Sequence, residues 1–373
     1  MHRTIYRNFD YILLLVTLAL ILVGGVMIYS SYEAALPPGG NLLENTVVRQ
    51  MIVAVVGMLA YMLLAILDYH MFLSLYRWIY LLVLGLLALT LVAGRSAFGA
   101  QSWLGSQTFP LQPSELGKVL MIVVLARFLG KDSQSLESVG PFAVSILLII
   151  PPIVLIYLQP DLGTALILFF TWVGMVFLSG VRWRHMALLA GAAVIGAPFL
   201  WLRLKGYMRE RVLMFLFPEQ ASSARSYNVT QALISIGSGG VWGKGLLHGT
   251  QSQLYFLRVR HTDFIFSVLA EELGFVGAVL LLALFAVLIL RLIRIALLAP
   301  DASGRLIVAG VATMLTTQIL INLGVNANLL PVTGLPLPLV SYGGSSLLVT
   351  LIALGLAQSV ALRRKGPESG PLA

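Results

Sequence analysis

The sequence predicts an all-α polytopic membrane protein of about ten transmembrane helices, with both termini cytoplasmic and one long outer loop between helices 7 and 8. Three observations carry that expectation. The first is composition: 59% of the 373 residues are hydrophobic and only 10% charged, with a mean hydropathy of +0.94. A soluble domain of this size has too little interior to hide so much apolar surface, so the solvent for much of it must be lipid. The second is the spacing of apolar runs, at 11–31, 46–67, 75–94, 115–130, 142–158, 162–180, 186–203, 263–293, 306–325 and 344–362. Several of these approach the ~20 residues that a helix needs to cross the hydrocarbon. The third is the placement of cations. With ten crossings, Arg3, Arg7, Arg77, Arg127, Lys131, Arg182, Arg184, Arg291, Arg294, Arg305, Arg363, Arg364 and Lys365 all fall on one side, and the positive-inside rule makes that side cytoplasmic.

The first run is too long for a signal-peptide core and lacks a clean small-residue cleavage site, so it reads as a helix. The fourth and fifth runs are short or carry Pro, which blurs their ends. The chain forms a single integral membrane domain, 1–373, with a polar tail over 363–373. Its long connection, 204–262, holds Lys205, Arg209, Arg211, Arg225, Lys244, Arg258 and Arg260. Long loops are largely exempt from the charge rule. These cations suit either a solvated loop near headgroups or a site for an anion such as phosphate. Short outer loops hold little basic charge beyond Arg49 and Arg95. The net charge of +9 therefore speaks for topology and anionic partners, with no nucleic acid. Zero cysteines exclude disulfides and thiol chemistry, and no dinucleotide fingerprint, P-loop or zinc-type His pair occurs.

Acidic residues inside so apolar a chain are the candidate chemistry. HTDFIFSVLAEELGFVG, 261–277, opens the eighth run with Asp263 and carries Glu271 and Glu272. Asp263 suits a helix start favoured by the dipole, with Thr262 as N-cap. Glu271 lies about 12 Å further along and Glu272 turns away from it, so both read as structural acids, buried against a partner Arg. GAQSWLGSQTFPLQPSELGK, 99–118, places Glu115 and Lys118 one turn apart at a helix mouth, either as an ion pair or lining the outer cavity. Trp103 in that loop reads as an interfacial aromatic or a platform for a sugar face. QPDLGT, 159–164, reads as a turn with Asp161 as cap. The glycines of YNVTQALISIGSGGVWGKGLLHGTQSQ, 227–253, permit backbone N–H groups to converge on an anion. NLLPVTGLPLPLVSYGGSSLL, 328–348, has no charge and three prolines among glycines; such backbone at membrane depth must line a cavity or pack on protein.

Taken in this order, GAQSWLG…QPSELGK, QPDLGT, NVTQALISIGSGGVWGKGL, GTQSQL before HTDFIFSVLAEELGFVG, and LLPVTGLPLPLVSYGGSSLL resemble the SEDS family (shape, elongation, division and sporulation) over nearly the whole chain. GTQSQL resembles its RodA-like elongation branch. One departure is FLRVRHTDF, where the family usually has Leu-Pro-Glu before His-Thr-Asp, which makes the site more basic. The resemblance implies a peptidoglycan glycosyltransferase in the bacterial cytoplasmic membrane that polymerises lipid II into undecaprenyl-diphosphate-linked glycan. It also implies a class B penicillin-binding protein and other elongation-complex membrane proteins as partners, and Mg²⁺ or Mn²⁺ as cofactor with no ligand set derived. The family's essential aspartate falls on Asp263 and its functional glutamate on Glu115. In that chemistry Asp263 is the general base of an inverting displacement. Glu115 orients the acceptor or holds Lys118. Lys118, Arg209, Lys244, Arg49 and Trp103 are candidates for diphosphate or substrate contact. Glu271, Glu272, Ser341 and Gly343 are structural or support the residues that touch substrate. A lipid II flippase is the alternative, against which the motif residues lie mostly on one face and no inverted repeat is apparent.

Overall fold

The computed structural model describes residues 8–32, 45–97, 100–105, 110–131, 139–203, 206–217, 223–254, 256–257 and 260–364. Each of the ten apolar runs is a helix: α1 Tyr11–Tyr32, α2 Thr46–Ile66, α4 Tyr76–Ala93, α5 Pro113–Lys131, α6 Val139–Leu158, α7 Leu162–Leu178, α8 Trp183–Arg203, α12 Ile265–Leu297, α13 Ala302–Asn326 and α14 Gly344–Leu362. Seven of them, α1, α2, α4, α6, α12, α13 and α14, are long and apolar enough to cross a membrane. Helix α7 is as apolar but only 17 residues long, and α5 carries Glu115, Lys118, Arg127 and Lys131. A short α3, Tyr69–Ser74, precedes α4.

Helix starts follow local chemistry. Asn45 caps α2 by accepting from Val47 N and Val48 N. Asp161 caps α7 through Thr164 N, and Asp301 caps α13 through Gly304 N; each satisfies a backbone donor that the helix cannot. Pro151 and Pro152 lie inside α6, as a membrane helix with packed neighbours tolerates.

Helices α13 and α14 form the centre. Their most apolar windows are 72% and 83% buried, against 22% for α2 and α12. Helix α14 packs most extensively on α2, and α13 on α12, α7 and α5. Close approach needs small residues: a Cβ at Gly355 of α14 would meet Tyr61 O of α2 at 2.7 Å, and one at Gly24 of α1 would meet Val340 O at 2.6 Å. The outward faces are lipid-like, with Leu59, Leu63, Val194, Ile195 and Phe199 exposed.

The structure corrects the sequence reading in four places. The α4–α5 connection contains a small antiparallel sheet in the order β1–β2–β3, formed by Arg95–Ala97, Ala100–Gly105 and Pro110–Leu111. The long connection 204–262 holds α9 Gly206–Leu216, α10 Ser223–Ser238 and the single turn α11 Thr250–Gln253. The eighth long helix starts at Ile265, two residues beyond Asp263, and Phe264 precedes it without a side-chain cap, so Thr262 is no N-cap.

The fourth correction concerns the glycine-rich segment. Helix α12 breaks at Gly274, φ 66, which strands the backbone groups of the broken turn. Residues 240–245 supply the missing partners: Lys244 N donates to Glu271 O at 3.0 Å and Gly245 N to Glu272 O at 2.9 Å, while Gly240 O and Val241 O accept from Phe275 N and Val276 N. Those N–H groups are spent on helix carbonyls and do not form an anion nest. A Cβ at Gly274 would sit 2.3 Å from Gly243 N, so the close approach requires glycine. Residues Arg3, Arg7, Lys205, Arg258, Val259 and the tail 365–373 lie outside the described residues.

Candidate active site

The site is built where two irregular segments meet. Residues 260–264 lead into α12, and the proline-rich connection 327–343 leads into α14. They are stitched together by backbone and side chain. Tyr342 N donates to His261 O at 2.9 Å. The Ser341 hydroxyl donates to Thr262 O at 2.5 Å and accepts from Leu337 N at 2.8 Å. Gln50 of α2 pins the same turn, donating to Ser341 O and accepting from Gly343 N, both at 3.3 Å. Ser341 and Gly343 thus shape this turn, and Gln50 is the residue that holds them.

Asp263 stands at this junction. Its carbonyl accepts from Asn322 Nδ2 at 3.0 Å and Asn326 Nδ2 at 2.9 Å. Its carboxylate lies toward Gly334, whose hypothetical Cβ would be 3.8 Å from Asp263 Oδ2. Asp263 is partly exposed yet densely surrounded. That burial pushes its pKa from 3.8 up to about 6, against opposing contributions from a Thr262 side-chain hydrogen bond and the charge of Arg211. Arg211 of α9 donates from Nη1 to Val332 O and Thr333 O, both at 3.2 Å. It is therefore fastened to the same turn that faces the carboxylate. Burial, with the nearby charge of Arg260, lowers the pKa of His261, so this ring is neutral at physiological pH. A carboxyl that titrates near neutrality beside one arginine can hold or release a proton at working pH.

A second acidic group lies at the mouth of α5. Lys118 Nζ meets Glu115 Oε1 at 2.8 Å, with side-chain exposures of 1% and 4%. The ion-pair reading thus describes the geometry, and Lys118's ammonium is not presented to solvent. Asp161 does more than cap α7: its Oδ2 accepts from Gln112 Nε2 at 2.8 Å and Ser114 Oγ at 3.3 Å, which ties the entry of α5 to that of α7. Burial raises the Asp161 pKa, and Glu115 adds to the rise.

Several sequence candidates sit elsewhere. Arg209 donates to Trp201 O and Leu202 O at 2.9 and 2.7 Å and lies over the Trp201 ring. It closes the end of α8, the usual place for a cation at a helix C-terminus. Arg211, two residues on, is the cation that bears on Asp263. Lys244 is committed to Glu271 at 2.7 Å, Ser238 and Thr250. Glu271's buried partner is thus a lysine and not an arginine; Thr250 Oγ1 and Gln251 N donate to the same Oε1, while Oε2 is buried without a hydrogen-bond partner among the described residues. Glu272 accepts from the Ser30 hydroxyl of α1 at 2.6 Å. These two acids tie α12 to Lys244 and to Ser30 of α1. Trp103 is half-buried on β2, opposite Arg95, and Arg49 is half-buried in the first turn of α2. Arg260, from the basic departure, is buried and donates to Ser31 O at 2.6 Å, so its charge anchors the loop to α1. Gln50, Asn322 and Asn326 were missed, and Arg211 was read only as one cation of the basic connection. The asparagines had a signal, four residues apart in an apolar helix.

Helices long and apolar enough to span, around a carboxylate held at the end of the bundle by irregular backbone, define a polytopic membrane protein with an interfacial acidic site. The family model of the cell cycle proteins, which groups FtsW, RodA and SpoVE, matches residues 11–366, and the chain belongs to that family. It is 37% identical to the peptidoglycan glycosyltransferase MrdB of Escherichia coli, over 96% of this chain and 95% of that one. It is 35% identical to the stage V sporulation protein E of Bacillus subtilis, over 94% and 96%. Among solved structures it matches a chain of a peptidoglycan synthase complex that coordinates polymerization and crosslinking, with TM-score 0.78, 37% identity, and 95% and 97% coverage. It also matches the rod shape determining protein RodA of Thermus thermophilus, with TM-score 0.69, 35% identity, and 96% and 98% coverage.

Proposed function

We propose that this chain is a peptidoglycan glycosyltransferase that polymerises lipid II into glycan strands at the outer face of the bacterial cytoplasmic membrane during elongation. The observation that carries the mechanism is the Asp263 carboxylate, fixed through its backbone, facing Gly334 and titrating at about 6. Curated relatives named as peptidoglycan glycosyltransferases support the activity. The match to a synthase complex supports a crosslinking partner, which we assign as a class B penicillin-binding protein, with other elongation-complex membrane proteins around it.

The acceptor hydroxyl of a GlcNAc is a poor nucleophile. Asp263 in its ionised form takes the hydroxyl proton as the oxygen bonds to the donor's anomeric carbon, and the bond from that carbon to the diphosphate breaks. Undecaprenyl diphosphate departs with the electron pair. One base and no covalent sugar–enzyme intermediate suffice for inversion. The leaving group needs positive charge more than an acid, and Arg211 is the cation placed to supply it. This reassigns the role first given to Arg209, Lys244 and Lys118. Glu115 holds Lys118 and orients the entry of α5, with Trp103 and Arg49 on the approach. Among the described residues no three His, Cys, Asp or Glu side chains gather to hold a metal ion. Mg²⁺ needs only one or two carboxylates beside substrate phosphates, so we keep Mg²⁺ or Mn²⁺ as the cofactor and route no step through it.

The test is polymerisation by the purified protein with its penicillin-binding partner, the transpeptidase blocked, on lipid II with Mg²⁺ or Mn²⁺ in the buffer. Glycan ladders from wild type and none from folded Asp263→Ala support the reading. Equal ladders from both remove Asp263 from the chemistry. No ladder from either, with intact substrate and complex, removes the polymerase assignment.

A further inference from the structure

Helix α13 carries three primary amides at i, i+4 and i+8: Gln318, Asn322 and Asn326. They share one face over roughly 12 Å of helix, and their exposures are 1%, 1% and 0%. In so apolar a helix a buried amide is retained only where it is hydrogen-bonded. Here each one reaches off its own helix to a part of the acidic site.

Gln318 accepts from Lys118 Nζ at 3.4 Å, on the lysine that is paired to Glu115, and donates to Pro336 O at 2.9 Å. Asn322 takes the next rung, donating to Leu335 O at 2.8 Å and to Asp263 O at 3.0 Å. Asn326 takes the last. It donates to Asp263 O at 2.9 Å, and its Oδ1 accepts from Ser267 N at 3.2 Å and Ser267 Oγ at 2.7 Å. Ser267 N, in the first turn of α12, shares its hydrogen between Asn326 Oδ1 and Phe264 O at 3.1 Å, and Phe264 provides no side-chain cap. Asn326 therefore ties the first turn of α12 to a different helix through Ser267 N and Oγ.

We propose that Gln318, Asn322 and Asn326 are positioning residues: a single rigid ladder that fixes the Glu115–Lys118 pair, the 335–336 turn and the Asp263 backbone in one relative geometry. The proposal rests on Asp263 as the base. Two donors on one carbonyl leave residue 263 no freedom to rotate about its peptide, and the same amides hold the turn that ends beside its carboxylate at Gly334. Glue between membrane helices would need only a hydrogen bond somewhere on the interface. Here the partners are the backbone of the candidate base and the turn facing it. A displacement of 1 Å in a reacting group costs on the order of 10²-fold in rate.

The experiment uses the full-length protein with its partner and lipid II, and reads kcat, KM and the pH profile for Asn322→Leu, Asn326→Leu and Asn326→Asp, beside Asp263→Ala. Thermal unfolding reports the folded fraction. The expected result for Asn322→Leu is kcat lowered about 10–100-fold, with KM for lipid II within about twofold of wild type. Asn326→Asp keeps the acceptor for Ser267, so it preserves that tie to α12 even if the leucine variant fails to fold. It replaces the donor on Asp263 O with an acid, and is expected to lose kcat and to move the acid limb of the pH profile upward, because a like charge disfavours ionisation. Arg211 and His261, the other titratable groups around Asp263, are unchanged in these variants. Wild-type kcat and pH profile in folded Asn322→Leu and Asn326→Asp, with Asp263→Ala inactive, would overturn the ladder while leaving the base in place. A loss of rate that only tracks the unfolded fraction would overturn it as well. Activity retained in Asp263→Ala would remove both.

Discussion

Replacing Asp263 by asparagine is expected to stabilise the protein while abolishing its activity. Burial raises the Asp263 pKa from 3.8 to about 6, so the folded protein at neutral pH carries a carboxylate it would rather hold protonated. At 1.36 kcal/mol per pH unit, that difference corresponds to about 3 kcal/mol. Arg211 sits within electrostatic reach and part of the side chain meets solvent, so about 1–2 kcal/mol is the expected gain. Arg211 keeps Val332 O and Thr333 O as partners in the variant, which limits the penalty for losing the carboxylate. The sign follows from linkage. Below pH 4 both folded and unfolded chains are protonated at this position, and wild type and Asp263→Asn should unfold alike. Between about 4 and 6 the folded wild type holds a proton that the unfolded chain has lost, so its stability falls as pH rises. Above 6 the difference is constant and at its largest. Thermal unfolding in detergent, followed by tryptophan fluorescence from pH 4 to 8, should give Asp263→Asn a midpoint a few degrees higher at pH 7–8 and none at pH 4. A variant less stable at pH 7, or one whose advantage grows toward acid, would refute the burial argument. The same pKa places the acid limb of wild-type polymerisation near pH 6, with activity lost below it.

Three further outcomes can be checked. Arg211→Ala should raise that acid limb, because the arginine's charge favours the ionised carboxylate, whereas Arg209→Ala, at the end of α8, should leave the profile in place; pH–rate curves for both decide. Lys244→Met strands the fully buried Glu271, at a cost of about 3–5 kcal/mol, and adding Glu271→Gln should return most of it in thermal or denaturant unfolding; no recovery would mean that the lysine matters for something other than that charge. Gly274→Ala places a Cβ 2.3 Å from Gly243 N at a φ of 66, so a loss of at least about 1–3 kcal/mol is expected, and protease sensitivity of the 239–253 segment should rise with it.

The sequence by itself determined the solvent, the apolar helices and the candidate acids. Lipid imposes a composition and a run length that survive in any arrangement of the helices, and acids in such runs need partners whatever the fold. Glu271 and Glu272 could therefore be read as structural before their partners were known. Asp263 and Glu115 were marked by resemblance in motif, not by spacing. The tertiary structure decided which partner each group has. Arg209 and Arg211 are two residues apart in one basic segment, and nothing local says that one closes α8 while the other is fastened to the turn facing Asp263. The glycines of 239–245 looked suited to an anion because their open N–H groups were visible in sequence, while the broken turn of α12 that consumes them was not. Lys118 reads either as the ion-pair partner of Glu115 or as a cavity-lining cation at a helix mouth, and only the packing of α13 over it buries it. Hydrogen bonds between distant segments depend on which helix faces are turned together, and that choice is made by the packed bundle as a whole.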